Sequence, residues 1–176
     1  MPLEQWATNA NLDGDYPPKG KQDYLGLCWD TASDTLSLKL PPEFLTAYAG
    51  VDHLNTKRKV VSLFSKVYDP TGLLSPITLS GKLFIQKLWL TQAGWDSKLT
   101  KEQLKELQDI LHGYKGLETI ELPRNAHQGS SFRLHVFCDA SKKGFGVAAY
   151  VVADQQRSHL LTGHARVTPK YVVKLQ

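Results

Sequence analysis

Cysteine is scarce in this chain, with Cys28 and Cys138 alone, and Met1 is the single methionine. Neither cysteine has a second Cys or a His at zinc-ligand spacing, and both sit in strand-like apolar contexts. That pattern argues against a disulfide framework or a structural zinc site and for reduced core thiols. Long apolar runs are also missing. No stretch approaches the length of a membrane span, and the start Met1-Pro2-Leu3-Glu4-Gln5-Trp6 lacks the basic and apolar regions of a signal peptide. The expectation is therefore an intracellular chain, cytoplasmic or nuclear, not secreted and with no membrane partner. Internal repeats and low-complexity tracts are absent, so nothing marks the chain as a solenoid or a disordered tail.

What is present is an ordinary globular composition: 176 residues, 41% of them hydrophobic, enough for one domain or two small ones with a buried core. The formal charge of +4 is unevenly spread. Residues 1–55 carry three bases against eight acids, whereas residues 56–87 carry six bases against Asp69 alone. A basic central segment suits a phosphate-facing surface, and it equally suits solvated helix faces.

The first 23 residues are rich in Asn, Asp, Gly and Pro and read as a loop. Leu25-Gly26-Leu27-Cys28-Trp29 and Thr35-Leu36-Ser37-Leu38-Lys39-Leu40, joined by polar Asp30-Thr31-Ala32-Ser33-Asp34, predict a β-hairpin that ends at Pro41-Pro42. Thr56 is placed to cap a helix to about Val67, with Val60, Val61, Leu63 and Phe64 on one face. Asp69-Pro70-Thr71-Gly72 stops it. Ser75-Pro76 starts a second helix whose Leu83, Phe84, Leu88 and Trp89 face a core, closed by Gly94. Thr100-Lys101-Glu102-Gln103 is a capping box for a third helix to about His112, with Leu99 and Leu104 at staple positions. Residues 123–130 have linker character. Beyond them, strands are predicted near 131–139, 145–153 and 159–167. In the first, Leu134, Val136 and Cys138 alternate with Arg133, His135, Phe137 and Asp139, which puts Asp139 at the strand's end before the turn containing Gly144 and Gly146.

Five motifs in order are similar to the BEL/Pao class of long-terminal-repeat retrotransposon Pol polyproteins: Trp6 to Asn9, Leu25 to Trp29, Tyr68-Asp69-Pro70-Thr71-Gly72-Leu73-Leu74-Ser75-Pro76, Gly94-Trp95-Asp96, and Phe137-Cys138-Asp139-Ala140-Ser141. The resemblance runs to about Pro169 and implies a join between the end of a reverse transcriptase and the start of ribonuclease H. It implies an α+β chain in four parts. Residues 1–55 hold the reverse-transcriptase end with a primer-grip-like hairpin, and 56–122 a helical thumb- and connection-like bundle. Residues 123–130 form a linker, and 131–176 an incomplete three-stranded antiparallel ribonuclease H-like sheet. The partner it implies is an RNA/DNA hybrid or other nucleic acid, together with the rest of a Pol polyprotein. Gly26 and Trp29 then stand at the primer-grip position, and Lys57, Arg58, Lys59 and Lys66 are the candidates for phosphate contacts, a salt-sensitive and sequence-independent role. Each also has a plain structural reading: Gly26 relieving a clash, Trp29 filling a core, lysines on a solvated helix.

The chemistry implied is two-metal catalysis. The paired carboxylates of a polymerase would sit in a Tyr-x-Asp-Asp turn, and no such turn occurs in this sequence. For ribonuclease H, Asp139 matches the first of about four acidic ligands that hold two Mg2+ ions in the intact family enzyme. The next ligand, a Glu on the helix after the third strand, has no counterpart in Tyr171-Val172-Val173-Lys174-Leu175-Gln176, and Asp154 in a hairpin link is a poor substitute. The expectation is hybrid binding without independent catalysis and without a cofactor in this chain alone. Two rivals stand beside it. A host-adopted protein-interaction module would use the open sheet edge and the basic helices. An aspartic peptidase of the Pao family would use Asp30-Thr31-Ala32, which lacks the Gly of the Asp-Thr/Ser-Gly motif and follows a bulky Trp29.

Overall fold

A computed structural model describes residues 20–24, 27–47, 50–124, 131–153 and 158–169. Where the sequence predicts one hairpin, the chain builds a four-stranded antiparallel sheet in the order β1 (Lys21–Tyr24), β2 (Leu27–Asp30), β3 (Thr35–Leu38) and β4 (Glu121–Pro123). The hairpin is there as β2 and β3, with Leu27 opposite Leu38 and Asp30 opposite Thr35. β1 and β4 escape a periodicity reading because one is four mostly polar residues and the other only three residues long. The β2–β3 link is held from within. Asp30 Oδ1 accepts the Ala32 and Ser33 N–H groups, and Asp34 turns through a left-handed φ of 52°.

Four helices follow: α1 (Pro42–Ala47), α2 (Lys57–Ser65), α3 (Ser75–Leu90) and α4 (Lys101–His112). Thr56 caps α2 by accepting the Lys59 N–H, and Thr100 with Gln103 closes a full capping box on α4. Ser75 is not the cap of α3. Leu74 holds that position, with its N–H donated to Asp69 Oδ2 at 2.8 Å, so a carboxylate from the preceding turn takes over the capping task. The helix ends at Leu90, four residues before Gly94.

One hydrophobic core runs from Leu27 in β2 to Leu117, through Phe44, Val60, Phe84, Leu107 and Leu111, all nearly inaccessible. Its contributors lie on both sides of residue 56. Phe44, Phe64 and Tyr114 stack edge-on and tilted at its centre, with centroids 4.8–6.2 Å apart. Trp89, expected to face this core, points outward and is 47% exposed. Residues 123 and 124, expected to open a linker, join the first sheet instead: Pro123 pairs with Thr35, and Arg124 forms an ion pair with Asp34, while the rest of the expected linker, residues 125–130, lies outside the described residues.

The second sheet is β5 (Phe132–Ala140), β6 (Gly144–Ala153) and β7 (Ser158–Val167), antiparallel in that order, with a bulge between Ala149 and Tyr150. These bounds fall within two residues of those predicted, because ten-residue alternating strands carry the clearest period-two signal. Its β7 side is not left open. α3 lies along β7: Lys82 Nζ donates to Ala165 O, Gln86 Nε2 donates to Thr168 O, and the Gly163 N–H donates to Thr71 O at 2.7 Å. Gly72 and Gly163 make this approach possible. A Cβ on Gly72, whose φ is +74°, would lie 1.7 Å from Gly163 O, and one on Gly163 would lie 2.8 Å from Gly72 O. β5, by contrast, is exposed along its whole length. Cys138, expected in the core, is exposed with it, and Cys28 is half-buried; both are free thiols.

Candidate nucleic-acid interface

Strand alternation carries Asp139 to the next-to-last position of β5, opposite Gly146, and the residue is exposed. The hairpin that follows is tight. The Ser141 N–H donates to Gly144 O, and Ser141 Oγ accepts the Lys143 and Gly144 N–H groups, leaving exposed Lys142 and Lys143 at the tip. Asp139 has no ion pair with any described residue. Among the described residues no three His, Cys, Asp or Glu side chains are grouped so as to hold a metal ion. A single carboxylate does not fit a two-ion site, whose ions need several bridging oxygens.

The cations proposed to meet phosphates are each engaged within the fold. Lys57 is 8% exposed; its Nζ donates to Ala93 O at 2.7 Å and lies 5.2 Å from the centre of the Trp89 ring. Arg58 forks onto Asp96 at 2.8 and 2.9 Å, and this hydrogen-bonded guanidinium holds the Asp96 carboxyl below its ordinary range. Lys59 reaches Asn55 Oδ1 at 3.4 Å. Lys66 pairs with Glu43 and lowers that carboxyl's pKa. Arg58, Lys59 and Lys66 remain on the surface, where exchange of an exposed side-chain partner, acidic for Arg58 and Lys66 and an amide for Lys59, for a phosphate costs little; Lys57 does not. Trp29 is 5% exposed, with its indole N–H donated to Asp34 Oδ1 and Arg124 lying 5.1 Å from its ring centre, so the ring fills the core side of the sheet. Gly26 lies outside the described residues. Asp30 spends one carboxylate oxygen on its own turn.

The geometry also brings together a group that sequence reasoning missed. Trp89 at the end of α3 and Trp95 in the following loop meet edge to face with centroids 5.1 Å apart, both about half exposed, with Lys57 and Arg58 over their rings. The loop is tied to the start of α2 by the Arg58 N–H to Trp95 O and the Leu99 N–H to Asn55 O. The sequence clue was two tryptophans six residues apart across a Gly, placed after a basic helix start. A second feature is a cleft between the helices and β7, lined by Asp69, Thr78, Tyr114 and His164 among others. Asp69 Oδ1 and Tyr114 Oη are buried there without a hydrogen-bond partner, and burial together with the nearby Asp69 charge pushes the Tyr114 hydroxyl's pKa well up.

The paired Tyr-Asp-Pro-x-Gly turn and Asp139 strand fall in a segment that a family model described as a Pao retrotransposon-like RNaseH-like domain matches over residues 56–175. The chain belongs to this family. It is a Pao-class retrotransposon Pol region with an α+β, ribonuclease H-like arrangement of helices and antiparallel strands. A search of curated proteins finds no match. The match begins at Thr56, so it takes in the α2–α4 helices together with the second sheet. The described Pao segment therefore contains both partners of the Gly72–Gly163 contact.

Proposed function

We propose that this Pao-family chain is a template/primer-holding segment of a Pol polyprotein that binds an RNA/DNA hybrid and does not cleave it unaided. The observation that carries this reading is the exposed tip of the β5–β6 hairpin, where Lys142 and Lys143 flank the Asp139 strand end and can meet a phosphate backbone. Arg58, Lys59 and Lys66 extend the cationic surface on α2, and the half-exposed Trp89 and Trp95 rings offer faces on which a base can stack. Among the described residues no second acidic side chain stands beside Asp139, so two-ion cleavage would need ligands from outside them, such as the rest of a Pol polyprotein.

Fluorescence anisotropy with a labelled RNA/DNA hybrid across a salt series tests it. The expected result is measurable affinity at low salt that falls steeply as salt rises, and a shallower salt slope for Lys142→Ala/Lys143→Ala. Affinity absent at low salt, or indifferent to salt, overturns the binding half. Magnesium-dependent cleavage of the hybrid that Asp139→Asn abolishes overturns the other half.

A further inference from the structure

We propose that the cleft between the α2–α3 turn, Tyr114 and β7 binds a ribonucleoside 5′-phosphate, with the ribose hydroxyls on Asp69 and Tyr114 and the phosphate at Lys82 and His164. The cleft has a volume of about 300 Å³ and is walled by residues from the end of α2, the turn after it, α3, the segment after α4, and β7. That volume is at the lower end of the range for small-molecule sites. The cleft lies on the closed side of the second sheet, where the Thr71 carbonyl and the Lys82 and Gln86 side chains hold β7 against the helices.

Two atoms in this cleft are buried without a hydrogen-bond partner, Asp69 Oδ1 and Tyr114 Oη. Both are held in place. The other carboxylate oxygen of Asp69 accepts the Leu74 N–H at 2.8 Å, and the Tyr114 ring, 0% exposed, is packed against Phe44 and Phe64. A buried polar atom left unpaired costs free energy, so a cavity that keeps two of them is complementary to a ligand that meets both. Their chemistry defines that ligand. A carboxylate oxygen only accepts, whereas a neutral phenol donates one hydrogen bond and accepts others. Neighbouring hydroxyls fit this pair: one donates to Asp69 Oδ1, and the next accepts from Tyr114 Oη. Acidic side chains hold ribose hydroxyls in the same manner in dinucleotide-binding folds. The Asp69 charge keeps a phosphate away from this end.

Charge of the opposite sign lines the solvent side. Lys82 and His164 border the same cleft and are both exposed. Lys82 Nζ spends one donor on Ala165 O at 3.0 Å and keeps two. His164 Nε2 accepts from Arg166 Nε at 3.0 Å, which brings a guanidinium beside the ring. Acceptors inside and cations outside orient one ligand, hydroxyls inward and phosphate outward. Phe64 and Val67 supply apolar wall for the sugar carbons. The phosphate is a 5′ one because the 2′ and 3′ hydroxyls are both spent on the buried pair. The same ribose phosphate occurs in a free nucleotide and at the 3′ end of an RNA strand.

Isothermal titration calorimetry of the whole chain with uridine 5′-monophosphate tests the proposal. The expected result is a one-site isotherm with a Kd of about 1 mM or lower, and binding of 2′-deoxyuridine 5′-monophosphate weaker by about tenfold or more. Tyr114→Phe keeps the ring and its packing, and Asp69→Asn keeps a carbonyl oxygen for the Leu74 N–H. Each should weaken the nucleotide by about tenfold. Lys82→Ala should weaken the nucleotide and leave uridine unaffected. In the free chain Tyr114→Phe should leave the urea midpoint unchanged or raise it, because the hydroxyl it removes has no partner there. No binding at millimolar nucleotide, equal affinity for the deoxynucleotide, or affinity that neither buried substitution lowers would overturn the proposal. So would a lower urea midpoint for Tyr114→Phe, the mark of a hydroxyl that water already satisfies. A short RNA that displaces the nucleotide assigns the site to a strand's 3′ end, and one that does not assigns it to the free nucleotide. That last arm alone touches the hybrid-binding reading, whose salt series is a separate assay, so each proposal can fail alone.

Discussion

The two sheets of this chain both carry large apolar side chains and end in opposite states, the more polar first sheet being the one with the buried side chains. Leu27, Trp29 and Leu38 of the first sheet are buried, each at 6% exposure or less, Leu27 and Leu38 within the core built by the four helices and the segment to Leu117, and Trp29 against Asp34 and Arg124. Leu134, Val136 and Phe137 of the second sheet are near 60% exposed, because α3 covers β7 and stops short of β5. Alternation makes a strand, and a covering element makes a core. The consequence for energy is that equal apolar content should contribute unequally, since stabilisation follows area removed from water rather than composition.

The largest effect should come from the joint between the regions. Gly72→Ala forces a Cβ into the Gly163 carbonyl at a left-handed φ, and the expected cost is roughly 3 kcal/mol or more. It should release the second sheet before the body around Phe84 unfolds. Hydrogen exchange would show this as lost protection in β6 and β7 with α4 unchanged. Uniform loss across both regions would mean that the sheets form one cooperative unit.

Leucine truncation sharpens the same contrast. Leu111→Ala, at a fully buried site, is expected to cost about 3 kcal/mol in urea denaturation. Leu134→Ala should stay within about 0.5 kcal/mol, being a surface change. In the unaltered protein, amides of β5 should exchange faster than those of α2 and α4. A β5 as protected as α4 at low concentration would erase the distinction.

These particulars also show what can be read from one sequence. The Thr100 capping box, the Thr56 cap and the three long strands follow from local chemistry, and the structure matches them closely. β1 and β4 do not follow, because short, polar strands exist only through their neighbours. The capping of α3 by Asp69 and the outward turn of Trp89 depend on tertiary placement in the same way. For the candidate site, Asp139 at a strand end was readable. The partners that occupy Lys57, Arg58 and Lys66 come from 23 to 38 residues away, beyond any local pattern.

Smaller effects test the local claims. Thr100→Ala should cost about 1 kcal/mol by removing one half of the capping box, seen as a lower urea midpoint at unchanged slope. The hydrogen bond from Arg124, with help from the Trp29 indole N–H, holds the Asp34 carboxyl below its ordinary 3.8. The folded chain therefore binds that proton more weakly than the unfolded one. The contribution is complete above about pH 5 and is lost as pH falls through the lower folded value. Asp34→Asn should flatten the acid side of the stability profile below about pH 4 and leave its neutral-to-basic slope unchanged.

The Asp34–Arg124 pair joins residues ninety positions apart, and β4 enters the first sheet beside it. That separation sets an order of events. A ribosome releases β1 to β3 long before β4, so the first sheet waits with β3 as a temporary edge while the four helices emerge and pack. Closing such a long loop is entropically costly and tends to be slow, which makes the arrival of residues 121–124 the expected late step of folding. Rapid-mixing refolding followed by Trp29 fluorescence would register that step directly, since the indole lies between Asp34 and Arg124 and changes surroundings when the latch closes.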